Sequence, residues 1–320
     1  MNAFAADRGA LIAFSTKEGP PPYSSKILRA EAPNGPWKTV FETDAMFMGS
    51  GRVVAGRVAL IEYREPYQGG GAYSADFTVI DISTGKTTAI DRFALSTATY
   101  RGGGGGPRRP VGNMVLGPER VAWTRLVEGQ SGSVTGELRV ATLADPARAN
   151  LVGSSAEWIS PLSVDAHRLL YVLGSKIEDQ LRVLDLDTGA DRMIARAAMP
   201  TDIQVTAFAG LDRALLSGDW TIWRETPRLS DGSLRAINIA DGTERTIAMG
   251  GSSCSEPSVG TKYIAWYCSA NVVGILDANT LVPVANKPAG IGVAPEASDD
   301  ALLWFDLSTN PRNVVLYRPK

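Results

Sequence analysis

The sequence predicts an all-β fold, a seven-bladed β-propeller of four-stranded antiparallel blades. Three observations carry this reading. A unit recurs in which an apolar run, a variable loop and a second apolar run end in a polar turn with glycine. The turn glycines Gly35 and Gly85 lie 50 residues apart, and Gly189 and Gly242 lie 53 apart, which is the period of blades of four strands each. No stretch longer than about ten residues carries the i, i+3, i+4 stripe of an amphipathic helix. The units are expected at residues 1–43, 44–91, 110–153, 157–197, 201–249, 253–286 and 290–320, together one domain, closed by the N- and C-terminal strands.

The clearest element is a hairpin of strands c and d. Strand c reads Phe77-Thr78-Val79-Ile80-Asp81-Ile82 before Gly85, Leu181-Arg182-Val183-Leu184-Asp185-Leu186 before Gly189, and Leu234-Arg235-Ala236-Ile237-Asn238-Ile239 before Gly242. Side chains alternate with period two, and the turn suits a glycine at positive φ. Weaker copies begin at Lys26, Glu137, Val272 and Asn313. Upstream lies a strand b: 10–15, 57–63, 120–125, 168–173, 213–217, 262–267 and 301–305. Before most of these is a short strand a, as at 159–164, 203–209 and 291–297. Runs such as Val58-Ala59-Leu60-Ile61 are apolar on both faces. Such a blade needs a neighbour on each side, and a ring supplies two. The last unit lacks a strand d, so Asn2 to Ala6 is expected to complete the first or the last blade.

The Leu-x-Val-Leu-Asp-Leu-Asp-Thr-Gly hairpin at 181–189, after Arg168-Leu169-Leu170-Tyr171-Val172-Leu173, resembles the TolB-like and WD-repeat-like bacterial β-propellers. No regular Trp-Asp dipeptide and no Ser-x-Asp-x-Gly-x-x-Trp box is present. The resemblance implies the fold. The group it points to includes binding platforms, enzymes and protease-associated domains, so activity has to come from the site.

With 32 Lys+Arg against 34 Asp+Glu, the formal net charge is -2, which argues against a chain built to hold nucleic acid. A hydrophobic content of 44% excludes bulk disorder. No run approaches the ~18 apolar residues of a transmembrane segment. One histidine and two cysteines leave no Cys/His zinc cluster and little material for a Ser/His or Cys/His centre. No metal and no cofactor is expected.

Cys254 precedes strand a of the sixth unit and Cys268 ends its strand b, with the turn centred near Thr261. They are expected to face each other across an antiparallel pair, within reach of a disulfide. The alternative is two small buried thiols. A bridge implies a periplasmic or secreted protein. Residues 1–10 carry no apolar signal-peptide core, and the other reading is a cytoplasmic chain.

Propeller sites are expected where the d–a and b–c loops meet. Long loops are expected at 16–25, 64–75, 91–110, 126–136 and 218–233. The candidate ligand-binding residues are Trp220, Trp223, Arg224, Trp158, Tyr67, Tyr73, Arg64, Arg125, Glu256 and Glu296. Aromatic faces stack on sugars or anchor peptides, and arginine forks bind carboxylates. Trp220 and Trp223 are read as a clamp within one loop, the alternative being packing against the rim. Glu157, Asp202, Glu256 and Glu296 fall near the starts of inner strands, where paired carboxylates do acid–base work or simply face water. Asp185, Asp187 and Asp241 read as turn formers. His167 reads as a surface residue on the opposite face. Five glycines between Arg101 and Pro107 make a solvated loop, since no Gly-Lys-Ser/Thr follows them.

The expectation is a binding module for a glycan or a protein loop, as a monomer or as part of a larger assembly. The alternative is a carbohydrate-active enzyme, a glycoside hydrolase or polysaccharide lyase. An enzyme needs two carboxylates or a Tyr–Arg pair converging on a pocket within ~10 Å.

Overall fold

The structure, a computed structural model, describes residues 3–7, 10–17, 24–32, 35–63, 73–95, 112–130, 132–198, 211–225, 232–251, 254–268, 272–288, 295–297, 302–306 and 313–317. The first sheet orders β1 (Ala3–Asp7), β2 (Ala10–Lys17), β3 (Ser24–Ala30) and β4 (Lys38–Thr43). The second orders β5 (Met46–Val54), β6 (Arg57–Tyr63), β7 (Tyr73–Asp81) and β8 (Thr87–Leu95). The third holds β9 (Asn113–Leu116), β10 (Arg120–Glu128), β11 (Val134–Thr142) and β12 (Asp145–Ser155). The fourth holds β13 (Trp158–Val164), β14 (Arg168–Gly174), β15 (Glu178–Asp185) and β16 (Asp191–Ala198). A 3-10 turn (Leu211–Arg213) precedes the fifth, β17 (Leu215–Ser217), β18 (Trp220–Glu225), β19 (Ser233–Asn238) and β20 (Glu244–Ala248). The sixth holds β21 (Ser258–Val259), β22 (Tyr263–Cys268), β23 (Val272–Asp277) and β24 (Pro283–Pro288). The last is three-stranded: β25 (Glu296–Ala297), β26 (Leu302–Asp306) and β27 (Asn313–Tyr317).

The fold is an all-β propeller of four-stranded antiparallel blades. It has six such blades and not the expected seven, because no fourth strand joins β25–β27 among the described residues. Of the segment Asn2 to Ala6, residues 3–6 lie in β1, which pairs with β2 in the first sheet, and Asn2 lies outside the described residues. The chain divides into two compact units. One comprises residues 1–2, 14–28 and 39–199; the other comprises 3–13, 29–38 and 200–320.

Within each unit the core lies between successive blades. In the first, Phe77, Phe93 and Leu95 of one blade pack with Trp123 and Leu126 of the next, the two phenyl rings 5.7 Å apart. Leu138 and Val140 pack likewise on Ile159, Leu169 and Tyr171. In the second unit, Ile222 and Leu234 pack on Ile264 and Trp266. This layering explains the imperfect alternation. The second residue of the second strand (Val58, Val121, Leu169, Thr221, Ile264) is 0% exposed, and the third (Ala59, Ala122, Leu170, Ile222, Ala265) is at most 1% exposed. Both faces of the strand are covered, so both are apolar except at Thr221.

The fourth residue of the same strand is the large one: Leu60, Trp123, Tyr171, Trp223 and Trp266, all buried. Trp266 stands directly opposite Gly274, and a Cβ on Gly274 would collide with its indole. The glycine is therefore required by close approach, an indole covering a strand position that has no side chain. The hairpin glycines take positive φ as expected: 72° at Gly85, 75° at Gly189 and 77° at Gly242.

The fifth blade corrects the sequence reading. Residues 213–217 were expected as strand b, with 218–233 as a loop. Instead 215–217 form the first strand β17, Gly218-Asp219 make a tight turn, and Trp220–Glu225 are the central strand β18. Trp220 (5% exposed) and Trp223 (2%) are thus core residues and not a loop clamp. The expected strand at 203–209 lies outside the described residues.

Candidate functional site

In propeller blades, the end of the second strand and the start of the first strand of the next blade meet on the face of the b–c and d–a loops. In the second unit this juxtaposition brings three charged residues together. Arg224 is the fifth residue of β18, Glu256 stands two residues before β21, and Arg213 ends the 3-10 turn. Arg213 Nη1 donates to Glu256 Oε1 at 3.1 Å. Arg224 Nη1 stands 3.7 Å from the same oxygen, an ion pair longer than a hydrogen bond. Arg224 Nε and Glu256 Oε2 are both buried and have no hydrogen-bond partner. The Arg224 side chain is only 17% exposed.

The neighbouring chemistry holds this cluster in place. Cys254, two residues from Glu256, is bridged to Cys268, with S–S 1.99 Å and Cα–Cα 3.9 Å. Beside the bridge, Ser255 N donates to Tyr267 O at 2.6 Å, and Tyr267 N donates to Ser255 Oγ at 3.0 Å. The disulfide of the two facing cysteines is therefore present. Ser258 Oγ donates to Glu296 Oε2 at 2.9 Å and accepts from Ala297 N at 2.9 Å, so Glu296 is engaged by the adjoining inner strand. Trp220 Nε1 donates to Asn279 O at 2.9 Å, and the Arg245 guanidinium lies 4.8 Å from its ring centroid. Arg235 bridges Glu225 and Glu244 at 3.4 and 2.8 Å and lies 5.8 Å from the Trp223 ring.

In the first unit, Asp91 of β8 accepts from Trp123 Nε1 at 2.8 Å, and Arg125 of β10 stands 3.6 Å from it. Residues 92–94 of β8 and 125–128 of β10 line a groove of about 390 Å³. Glu157 has a buried Oε2 without a hydrogen-bond partner. Trp158 opens β13 opposite Gly174 and is half-buried against it. Arg125 was expected near a loop and lies inside β10.

Of the other predicted residues, Arg64, Tyr67, Asp202 and the Arg101–Pro107 glycine run lie outside the described residues. Tyr73 opens β7. His167 is exposed in a turn, as expected, with Nδ1 2.6 Å from Asp187 Oδ2. Asp185 Oδ1 accepts from Thr188 N at 2.7 Å, Thr188 Oγ1 at 2.8 Å and Asp187 N at 3.1 Å, and Asp241 Oδ1 accepts from Thr243 N at 2.8 Å; both are turn formers. Sequence reasoning missed Arg213, taken for a strand residue, and Asp91, taken for a loop start. Their one visible signal is an unpaired charge at an element boundary. Among the described residues no group of three or more His, Cys, Asp or Glu is arranged to hold a metal ion.

Burial, then the hydrogen bond to Asp191, pushes the Tyr171 hydroxyl up to about 12. Hydrogen bonds from Ser83 and Thr84 hold Asp81 below the usual carboxylate range. The Thr188 backbone does so for Asp185, and the Thr280 backbone for Asp277.

No family model and no curated protein matches the chain. Solved structures do. The β-propeller domain of the Trilobed protease from Pyrococcus furiosus is 10% identical, with 99% of this chain and 95% of that one covered at a TM-score of 0.53. An oligogalacturonate lyase in complex with manganese is 10% identical, with 97% and 96% covered and a TM-score of 0.53. TolB from Acinetobacter baumannii is 14% identical over 91% of this chain, at a TM-score of 0.48. This chain spans 66% of that TolB chain, just under two thirds of its length. The β-propeller resemblance holds at the level of fold. No helix among the described residues is long and apolar enough to cross a membrane.

Proposed function

We propose that the chain is a ligand- or partner-binding propeller module whose site is the Arg213–Glu256–Arg224 cluster on the loop face of the second unit. One observation supports this most: Arg224, 17% exposed, has a buried Nε without a partner beside a buried, unmet Glu256 Oε2. Buried polar groups are almost always paired, and each unpaired one costs about 1–3 kcal/mol. An unmet donor beside an unmet acceptor suits a ligand that offers both, such as the hydroxyl of a glycan or the amide of a protein loop. A small rearrangement of the two side chains toward such a group satisfies all of them. The Cys254–Cys268 bridge, which anchors the segment carrying Glu256, also favours an oxidising compartment, periplasmic or extracellular.

The test is binding of the wild-type protein and of Glu256→Gln to an oligosaccharide array and a peptide array. Retention of a specific glycan or peptide, weakened roughly tenfold in the variant, supports the reading. Equal retention by both proteins contradicts it. Turnover of a polysaccharide substrate, lost in Glu256→Gln, moves the assignment to the carbohydrate-active enzyme.

A further inference from the structure

We propose that the groove between β8 and β10 in the first unit is a second ligand site, which takes a carboxylate on Arg125. This inference is independent of the Arg213–Glu256–Arg224 reading. It rests on an arginine whose donors are unused although an acid stands next to it. Each oxygen of Asp91 already accepts one hydrogen bond, Oδ1 from Arg92 N at 2.8 Å and Oδ2 from Trp123 Nε1 at 2.8 Å. Arg125 Nη1 is left 3.6 Å away, beyond hydrogen-bond length, and Arg125 Nε has no partner. Three other arginines of the same unit meet an acid at hydrogen-bond length. Arg139 meets Glu137 at 2.7 Å, Arg168 meets Asp165 at 2.9 Å and Arg182 meets Asp191 at 3.0 Å.

A guanidinium offers five donors in one plane and pairs best with a carboxylate through two parallel hydrogen bonds. Arg125 is 38% exposed at the side chain, so its outer nitrogens reach the groove. Arg92 stands at the rim, 68% exposed and 3.3 Å from Asp76. Two arginines here face three acids, Asp76, Asp91 and Glu128, so the match to a carboxylate rests on the unmet Arg125 fork and not on net charge. A phosphate dianion would meet more repulsion from these acids than a single carboxylate does. β8 is the last strand of its sheet, so one of its backbone edges has no partner strand within that sheet. The carboxylate can therefore belong to a small acid or to an acidic side chain of an extended peptide lying along β8.

The test uses a fluorescein-labelled (Glu-Val)3 peptide, its (Gln-Val)3 counterpart, and unlabelled succinate as competitor. The acidic peptide should bind at least tenfold tighter than the neutral one, and Arg125→Gln should abolish that preference. Arg148→Gln, which removes a charge from a side chain 89% exposed on β12, should leave it intact. Displacement by succinate assigns the site to free carboxylates, and failure to displace assigns it to peptides. Should Arg125→Gln lose its fold, Arg125→Lys is read instead, with a several-fold loss at unchanged Tm. Equal binding of the two peptides, no binding of either, or a preference that survives the loss of the Arg125 fork overturns the proposal.

Discussion

Asp81, Asp185 and Asp277 each close a hairpin in the same way. One carboxylate oxygen takes the backbone N–H and hydroxyl of a threonine three residues on, at 2.9 and 2.9 Å, 2.7 and 2.8 Å, and 2.8 and 2.9 Å respectively. Those bonds are stronger to the ionised acid, and they lower its pKa in the folded chain. Stability from them is present above the unfolded value of about 3.9 and is lost as pH falls through the lower folded values. The melting temperature should therefore fall as pH drops below about 4, and Asp81→Asn with Asp277→Asn should flatten that fall. An unchanged acid slope in the double variant would refute the turn role. The fourth residue after the acid is Gly85 and Gly189 in two of these turns but Leu281 in the third, at φ 58°. Its left-handed backbone costs roughly 1–2 kcal/mol. Leu281 is 4% exposed, and deleting such a side chain costs roughly 2–5 kcal/mol. Burial outweighs strain, so Leu281→Gly should lower the melting temperature; a rise would show that the strain dominates. Asp185 was legible in the sequence as a turn former because turn chemistry is local, and Asp81 and Asp277 do the same at the matching place in their hairpins. The burial of Trp220 and Trp223 was not legible, because whether an aromatic packs or protrudes depends on residues distant in the chain.

At the scale of elements, the hairpins of long alternating strands were readable, and the shortest strands were not. β17 has three residues and β21 and β25 two each, too few to display a period. In the fifth blade the first strand was read as the second and the second, Trp220–Glu225, as loop, while the hairpin of β19 and β20 was read in place. The two-sided apolar character of Val58-Ala59-Leu60-Ile61 in β6 was visible and means what it was taken to mean, a strand buried on both faces. β1 heads the first sheet and also runs beside β25 and β26 in the second unit. Removing residues 2–7 should take away a strand partner of β2 and lower the melting temperature by several degrees. An unaltered thermal transition would show that β1 contributes no stability.

For the molecule as a whole, the repeat predicted the class of fold, and the described residues form six four-stranded blades. The period alone could not give the count, since a last unit of three strands reads much like one of four. The cysteine pair was legible as facing residues, but oxidation depends on geometry that spacing does not fix. The bridge joins residues 14 apart, and a closed loop of that size is worth roughly 3 kcal/mol. Replacing both cysteines by serine should lower the denaturant-derived stability by about that amount, and no loss would show the bridge to be incidental. Of the candidate site, Arg224 and Glu256 were both foreseen, but not their partnership with Arg213, which follows from a tertiary contact.

The most direct measurement is a double-mutant cycle with Arg224→Gln and Glu256→Gln, made by calorimetry on the glycan or peptide the arrays select. If the two side chains jointly hold the ligand, each single variant should lose roughly tenfold in affinity, about 1.4 kcal/mol. The double variant should then lose distinctly less than the sum. Wild-type affinity in a folded double variant would contradict the assignment of this cluster as the binding site.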